Sequence, residues 1–244
     1  MIYNQFSPHP ALTDYIDAYW WASGDRNDHN KEKILPNGCV DIIFNLGSDC
    51  KTDNGVFTMQ NEKVYLVGPM TSFKETIISP DTRLLGIRFR PAAFSAFYTC
   101  SYLHKIKDVT IEFEKKHSPH LKKNIQASVD YFNHYFINKL SGPKHNLFTI
   151  IADIQNHKGR IDVQTLAKRH FTTIRQLERS FRLQIGISPK EFISLLRYQS
   201  ALSKIKSNVS KISLADIAFE TGYYDHSHLT NEFKRYTGTV PSEF

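Results

Sequence analysis

Hydrophobic positions in the first third of the chain fall into short runs. Runs rich in valine, isoleucine, leucine and aromatic residues lie at 40–47 (VDIIFNLG), 63–70 (KVYLVGPM), 75–80 (ETIISP) and 83–90 (RLLGIRFR). Each run is bounded by glycine, proline, asparagine or aspartate, which is typical of β-strands. Residues 48–62 are polar and rich in turn-forming residues. The pattern predicts four strands in this part of the chain, with a loop over 48–62.

Past residue 90 the hydrophobic spacing becomes helical. Pro91 suits the first turn of a short helix over PAAFSAFYTC. From Leu121 to Leu140 an apolar residue recurs every three or four positions, which predicts a helix. The Gly-Pro pair in SGPKHN (141–146) stops that helix and predicts a linker. We therefore expect a β-rich domain over 1–140 and an all-helical domain over 145–244.

The C-terminal part contains an internal repeat. When 172–192 is aligned with 224–244, matching residues stand 52 positions apart. The pairs are Leu177 and Leu229, Phe181 and Phe233, Gly186 and Gly238, Pro189 and Pro241, and Phe192 and Phe244. Upstream, Leu166-Ala167 matches Ile217-Ala218 at 51 positions, so the intervening turn differs by one residue. A duplication of about fifty residues indicates two copies of one supersecondary unit.

Each copy consists of a short helix, a tight turn and a second helix that begins after an N-cap residue, Thr173 or Asp225. Helical spacing divides the second helices into two faces. The residues expected to face the core are Ile174, Leu177 and Phe181 in the first copy, and Leu229 and Phe233 in the second. The residues expected to face outward are Arg175, Glu178, Arg179 and Arg182, and Ser227, Thr230, Asn231 and Lys234. This arrangement is a helix-turn-helix, and its polar second helix fits the major groove of duplex DNA.

Charge and cysteine content agree with a DNA-binding function in a reducing compartment. The 244 residues carry a formal net charge of +7, with 14 Lys/Arg and 9 Asp/Glu from residue 145 onward and 17 and 15 before it. Excess positive charge favours an anionic partner. The three cysteines, Cys39, Cys50 and Cys100, have no paired or metal-like spacing. No signal peptide and no membrane-length apolar run is recognised, so we expect a cytoplasmic protein without a membrane partner.

The segment SLADIAFETGYYDHSHLTNEFKRYTGTVPSEF resembles the second helix-turn-helix of the AraC/XylS family of bacterial transcription regulators. LAKRHFTTIRQLERSFRLQIGISPKEF resembles the first, and PKEFISLLRYQSALSKI resembles the helix that links them. In that family each subunit places two recognition helices in adjacent major-groove segments. The resemblance implies that Arg175, Glu178 and Arg179 face DNA from the first helix, and Ser227, His228 and Asn231 from the second. The expectation is weaker for His226, which aligns with the inward Ile174.

Lys234 lies toward the C-terminal end of its helix, past the turns that read bases, and is expected to meet a phosphate. One departure from the family pattern concerns the first turn. The first copy has His170-Phe171 where the second has Gly222. Glycine takes positive φ most easily, so the geometry of the first turn does not follow from the pattern.

The N-terminal part resembles the small β-rich sensor domain that precedes some AraC-type modules, through ILPNGCVDIIFNLG, VGPM and LLGIRFRPAAFSAFY. The resemblance implies a cupin-like barrel or sandwich, and hence an α+β chain. It also implies a small-molecule effector or a homodimer contact there, and RNA polymerase as a further partner. No effector-binding residue is assigned. Trp20, Trp21, Phe89 and Phe94 are expected in the core, and are the best candidates to line a pocket.

No catalytic residue, metal ligand or cofactor is expected. No nucleophile elbow, phosphate loop or Ser/His/Asp order is present. His226 and His228 are two apart on a helix and face different ways, so a metal there is disfavoured. Two alternatives stay open. One is an Ada-type repair methyltransferase with a cysteine-ligated zinc, disfavoured by the scattered cysteines. The other is a sugar- or aromatic-binding cupin whose basic tail is incidental.

Overall fold

The computed structural model describes residues 1–25, 31–99, 103–142, 147–207 and 212–244. In these ranges the strands are β1 (Ile2–Phe6), β2 (Ile16–Ser23), β3 (Lys31–Ile34), β4 (Val40–Asn45), β5 (Cys50–Thr52), β6 (Phe57–Met59), β7 (Val64–Val67), β8 (Lys74–Ile77), β9 (Arg83–Phe89) and β10 (Thr110–Glu112). The α-helices are α1 (Ile125–Lys139), α2 (Leu147–Asn156), α3 (Val163–Arg169), α4 (Ile174–Gln184), α5 (Pro189–Lys206), α6 (Leu214–Glu220) and α7 (His226–Thr237). The chain is α+β, with its strands first and its helical region last, as the sequence predicts.

The strands form one large sheet and two small ones, all antiparallel. The large sheet has the order β1-β2-β9-β4-β7-β10, and the small sheets are β3-β8 and β5-β6. Side chains of a strand alternate between its two faces. One face of the large sheet therefore packs under α1, in a helix-side core that includes Tyr19, Ile87 and Phe132. The other face packs under β5 and β6, in a sandwich core that includes Trp20 and Met59.

The expectation that Trp20, Phe89 and Phe94 lie in the core is confirmed, and of the three only Trp20 also lines a cavity described below. Phe89 and Phe94 are 0% and 2% exposed and pack edge to face at 5.2 Å between ring centroids. Trp21 packs against the same helix-side core. Trp20, one residue away on β2, points to the opposite face and lines a cavity beneath the small sheets. Alternation along β2 separates the two tryptophans.

The predicted strands are found, but others were missed. The four hydrophobic runs contain β4, β7, β8 and β9. The expected loop over 48–62 is wrong in part, because β5 and β6 pair there, with Cys50 opposite Met59 and Thr52 opposite Phe57. These strands are three residues long, and polar residues fill much of them, so they carry little hydrophobic signal. The short helix after Pro91 is one turn of 3-10 helix at Ala93–Ala96.

The C-terminal region contains two helix-turn-helix units, α3–α4 and α6–α7, joined by the 18-residue helix α5. One hydrophobic cluster spans α2 to α5 and also takes in Phe233 and Tyr236 of α7. The second unit adds a smaller cluster that includes Ile217 and Leu229. The expected linker at 141–146 lies mostly outside the described residues, as does Cys100.

The turn of the first unit adopts the same backbone conformation as that of the second, despite its different residue. Phe171 has φ of 49° and Gly222, its counterpart at a spacing of 51, has φ of 81°. The Phe171 side chain is 98% exposed, so no packing of its ring compensates for the left-handed backbone. A non-glycine residue there costs about 1–2 kcal/mol relative to the right-handed region.

We expect Phe171→Gly to raise the free energy of unfolding by about 0.5–1 kcal/mol, because relief of the left-handed strain exceeds the greater entropy that glycine gives the unfolded chain. Urea unfolding of the full chain measures the change. Phe171→Ala is the matched control: it removes the same ring but keeps a Cβ at positive φ, and should show no such gain. If Phe171→Gly and Phe171→Ala had the same free energy of unfolding, a Cβ at this left-handed position would not be a source of strain.

Candidate nucleic-acid interface

Helix α4 begins with a reciprocal cap and buries one narrow face. The Gln176 N–H donates to Thr173 Oγ1 at 3.1 Å, and the Thr173 N–H donates to Gln176 Oε1 at 3.2 Å. This capping box satisfies backbone donors at the helix start and confirms Thr173 as the N-cap. Leu177 and Phe181 are 1% and 0% exposed. Their burial fixes which side of α4 faces outward.

The outward side of α4 carries the predicted residues. Arg175, Glu178, Arg179 and Arg182 are all exposed. Ile174, predicted to face the core, is 46% exposed instead. It is the first residue of α4, directly after the N-cap, and the core contact of the helix begins one turn later at Leu177.

Helix α7 has the same construction. The Asp225 carboxylate accepts the His228 N–H at 2.7 Å, which confirms Asp225 as the N-cap. Leu229 and Phe233 are both 0% exposed. The predicted contact residues are exposed: His226, Ser227, His228, Asn231 and Lys234. His226 is therefore as outward as the others, because the aligned position of Ile174 is itself outward.

Two polar side chains of α7 already make contacts within the protein. The Thr230 hydroxyl donates to the His226 carbonyl of its own helix at 2.8 Å, and the Thr230 side chain is half-buried. The His228 ring packs edge to face on buried Tyr223, with ring centroids 5.2 Å apart. This contact restricts the orientations of the imidazole.

Glu232 joins α7 to α5, and sequence reasoning missed it. Ser194 of α5 donates its hydroxyl to Glu232 Oε1 at 2.8 Å, and Arg197 Nη2 lies 3.4 Å from Oε2. The Arg197 guanidinium also lies 4.8 Å from the centroid of the Tyr223 ring. Glu232 thus ties α7 to the linking helix α5. The available signal was an acidic residue within the otherwise basic run NEFKR.

Asp153 on α2 has a similar role in the first unit and was also missed. Its carboxylate lies 3.3 Å from Arg169 Nη1 and 3.0 Å from His170 Nε2. Arg169 ends α3 and His170 is its C-cap, so α2 holds the turn that leads into α4.

The N-terminal region contacts both α4 and α7 near their C-terminal ends. We call residues 68–73 (GPMTSF) the contact loop. A Cβ placed on Gly186, just past α4, would lie 2.7 Å from Pro69 Cγ, and one on Gly238, which caps α7, would lie 2.6 Å from Phe73 Cζ. The loop is anchored by Thr71, whose N–H and hydroxyl each donate to Asp108 at 2.6 Å. Equivalent ends of the two copies therefore rest on one loop.

A second contact lies beside α4. His104, in the 3-10 turn Leu103–Ile106, shares a shallow surface depression with Arg175, Glu178, Arg179 and Arg182. Nearby, Lys107 Nζ lies 3.0 Å from Glu191 Oε1 at the start of α5. Burial raises the pKa of Glu191, but hydrogen bonds from Ser188 and Lys107 outweigh it and leave the pKa lowered. Glu191 therefore stays ionised at neutral pH.

Two features of the described part of the chain concern metal ligands and thiols. No three His, Cys, Asp or Glu side chains come together there in a way that could hold a metal ion. Cys39 and Cys50 are free thiols. Burial raises the pKa of Cys50 to about 11, so its reactive thiolate form is scarce at neutral pH. Over the same described ranges, the helices are too short or too polar to cross a membrane.

Comparison with known proteins divides the chain in a similar way. A family described as a domain of unknown function (DUF6597) matches residues 4–112, and a family described as a helix-turn-helix domain matches 166–244. An uncharacterized HTH-type transcriptional regulator of Haemophilus influenzae is 32% identical over 95 residues, which are 39% of this chain and 31% of that protein. The HTH-type transcriptional activator RhaS of Escherichia coli is 25% identical over 97 residues, 39% of this chain and 34% of that protein. The chain thus spans about a third of the length of these relatives.

A likeness to solved structures extends over the whole chain. ToxT from Vibrio cholerae superposes with a TM-score of 0.52 at 11% identity, covering 100% of this chain and 97% of that one. A second ToxT structure, with unsaturated fatty acid bound, gives 0.51 at 15% identity, covering 92% and 94%. At such identities the likeness concerns the fold, which both regions of this chain share with ToxT.

Proposed function

We propose that this chain, in which residues 166–244 form a helix-turn-helix domain of the AraC type, is a sequence-specific DNA-binding transcriptional regulator. One observation carries the proposal. Two capped helices, each held by a buried Leu and Phe, expose on their outward faces all the residues that the sequence pattern predicts to contact DNA. Relatives that match 39% of this chain are named as HTH-type transcription regulators.

The proposed roles follow from side-chain chemistry. Arg175 and Arg179 present guanidinium groups suited to guanine O6 and N7, and Glu178 can accept from cytosine N4. From α7, Asn231 suits adenine, while Ser227, His228 and His226 lie near the helix start, where recognition helices read bases. Lys234 binds a phosphate. Together α4 and α7 read two adjacent major-groove segments.

The footprint of the full chain on a site selected from random duplex DNA tests this reading. Major-groove segments on one face of the duplex recur every 10–10.5 bp. We expect one monomer to protect an asymmetric site of about two helical turns, with two protected grooves. Protection of a single groove per monomer would mean that only one helix reads DNA.

Substitutions on the two helices should separate base reading from phosphate binding. Arg179→Ala should cost about 1–3 kcal/mol on the selected site and relax the preference at one or two base pairs. Lys234→Ala should weaken binding to all sequences about equally. It should also lower the steepness of the plot of log binding constant against log salt concentration by about one. Binding to the selected site and to its single-base variants across a salt series measures both effects.

Each of these variants serves as the control of the other, because both residues are exposed and neither supports the core. If Arg179→Ala weakened every sequence alike and left the base preference unchanged, its role as a base reader would be refuted. Helix α4 would then lie along the DNA sugar-phosphate backbone instead of reading base edges.

For the N-terminal region, over 1–140, we propose a regulatory role without catalysis, in which a small molecule controls DNA binding. The fold likeness to ToxT supports this role, since one ToxT structure has an unsaturated fatty acid bound. Further proposed partners are RNA polymerase and a second copy of the chain, and no cofactor is needed. A regulator of this kind acts in the bacterial cytoplasm, where the DNA is. Turnover of any substrate by the purified chain would contradict the absence of catalysis.

A further inference from the structure

A cavity of about 120 Å³ lies inside the N-terminal sandwich. Its floor is the large sheet, through Trp20 and Ala22 of β2, Ile43 of β4 and Leu84 of β9. Its roof comes from the small sheets and their connections, including Ile34, Thr52, Met59, Lys74 and Thr76. An engineered apolar cavity of about 150 Å³ binds benzene, so this volume suits a molecule built on a single ring.

Most of the lining is apolar, and one wall is a flat aromatic surface. The indole of Trp20 lies against the backbone of β9 at Gly86, where an added Cβ would come within 1.9 Å of Trp20 Cε2. The absence of a side chain at Gly86 therefore lets the indole lie close to the sheet. Aromatic rings pack favourably on such a surface in offset or edge-to-face geometry.

Two ion pairs supply the polar part of the lining. Arg88 Nε lies 3.2 Å from Asp41 Oδ1, directly across from it in the β4–β9 pairing. Lys74 Nζ lies 2.7 Å from Asp53 Oδ1, and the Lys74 and Asp53 side chains are 5% and 10% exposed. Within each of these pairs the two charges cancel.

Hydrogen-bond donors remain available at these pairs, whereas the acceptors are already used. Asp41 accepts from Trp20 Nε1 at 2.7 Å as well as from Arg88, and Asp53 accepts the N–H and hydroxyl of Thr110 as well as Lys74. Arg88 donates to Asp41 through Nε, and its guanidinium also makes a hydrogen bond with the Tyr3 side chain. Lys74 donates one hydrogen bond, to Asp53, so two of its three ammonium protons are left to donate elsewhere.

From this lining we infer that the cavity binds an uncharged, single-ring aromatic molecule carrying one small hydrogen-bond acceptor group, such as an aryl aldehyde or methyl ketone. The ring packs on Trp20 and the oxygen accepts from Lys74. A carboxylate is disfavoured, because Lys74 and Arg88 are already balanced by Asp53 and Asp41, so its own charge would be buried without a partner. The inference names a ligand class for the regulatory role proposed above and rests on that role only for the effect on DNA binding.

The test compares three ligands of similar size on the full chain: acetophenone, benzoate and ethylbenzene. Calorimetry and the fluorescence of Trp20 and Trp21, the two tryptophans of the chain, report binding. Acetophenone should bind at least about tenfold more tightly than either of the others, as one charge-assisted hydrogen bond allows. If benzoate bound as tightly as acetophenone, the inference that the ligand is uncharged would be refuted. If ethylbenzene bound as tightly, the inference that the ligand needs an acceptor oxygen would be refuted. Binding of none of the three would overturn the inference.

A cavity-filling variant locates the site. Ala22→Leu puts three added carbons into the cavity and should weaken acetophenone at least about tenfold without unfolding the chain, since the cavity volume of about 120 Å³ can take them. Val64→Ile, which adds one carbon to the helix-side core, is the control and should leave binding unchanged. Unchanged affinity in Ala22→Leu would refute this cavity as the site. Should Ala22→Leu fail to fold, the three-ligand comparison on the unsubstituted chain still decides.

Different experimental results would refute this inference and the proposed function. A chain that selects a DNA site but ignores acetophenone would refute the ligand class alone. A chain that binds acetophenone but selects no DNA sequence would refute the proposed function and leave the ligand site in place.

Discussion

Replacing Asp53 by alanine is expected to lower the free energy of unfolding by about 3–5 kcal/mol, because it leaves Lys74 as an unpaired buried cation. Asp53 Oδ1 lies 2.7 Å from Lys74 Nζ, and the Asp53 carboxylate also accepts the Thr110 N–H at 2.8 Å and its hydroxyl at 2.9 Å. It thereby joins the β5–β6 hairpin to β8 and to the edge strand β10. Denaturant unfolding at neutral pH measures the loss.

The control is the exposed pair of the same small sheet. Lys31 and Glu75 are 2.9 Å apart, with side chains 66% and 31% exposed. Glu75→Ala should therefore cost less than about 1 kcal/mol. Asp53→Asn separates charge from backbone strain, since asparagine tolerates the left-handed conformation of Asp53, which has φ of 53°. If Asp53→Asn were as stable as the original chain, the buried charge pair would not be the source of the stability.

Phe233→Ala should cost about 3–5 kcal/mol, the usual loss for a fully buried phenylalanine. Phe233 is 0% exposed and packs edge to face on Phe244 at 5.2 Å and on Tyr198, of the linking helix, at 5.7 Å. It is one of the two α7 residues in the cluster that also holds the first unit. Its removal should therefore weaken both helix-turn-helix units, which thermal unfolding followed by circular dichroism would measure.

Phe219→Ala is the matched comparison. Phe219 lies in α6 and is 83% exposed, so the same substitution removes a ring that buries little surface. We expect a change within about 0.5 kcal/mol. If Phe233→Ala unfolded only α6 and α7 and left the first unit intact, the shared core would not couple the two units.

Sequence reasoning succeeded where spacing alone determines burial. The repeat pairs Leu177 with Leu229 and Phe181 with Phe233, and all four are buried as predicted. A helix has one period, so three or four apolar positions assign its inward and outward faces. Helix capping is also a local feature, because Thr173 and Asp225 each cap the helix that follows them directly in sequence.

Contacts between distant segments could not be predicted in this way. Glu232 meets Ser194 and Arg197 from 38 and 35 positions away, and nothing in the local pattern of α7 indicates that pairing. The same holds for the pocket lining. Which of Trp20 and Trp21 faces the cavity depends on the register of β2 against β9, and a shift of one residue would exchange them.

The contact loop has a consequence for the spacing of the two recognition helices. Pro69 and Phe73 are four residues apart, yet each lies against the C-terminal end of a different recognition helix, at Gly186 and Gly238. These contacts hold the C-terminal ends of α4 and α7 against one loop without any DNA. One extra base pair between two half-sites turns the second groove by about 35° around the duplex axis. If α4 and α7 read DNA as proposed, we expect the pair to accept one helical spacing of the two grooves and to reject spacings one base pair longer or shorter.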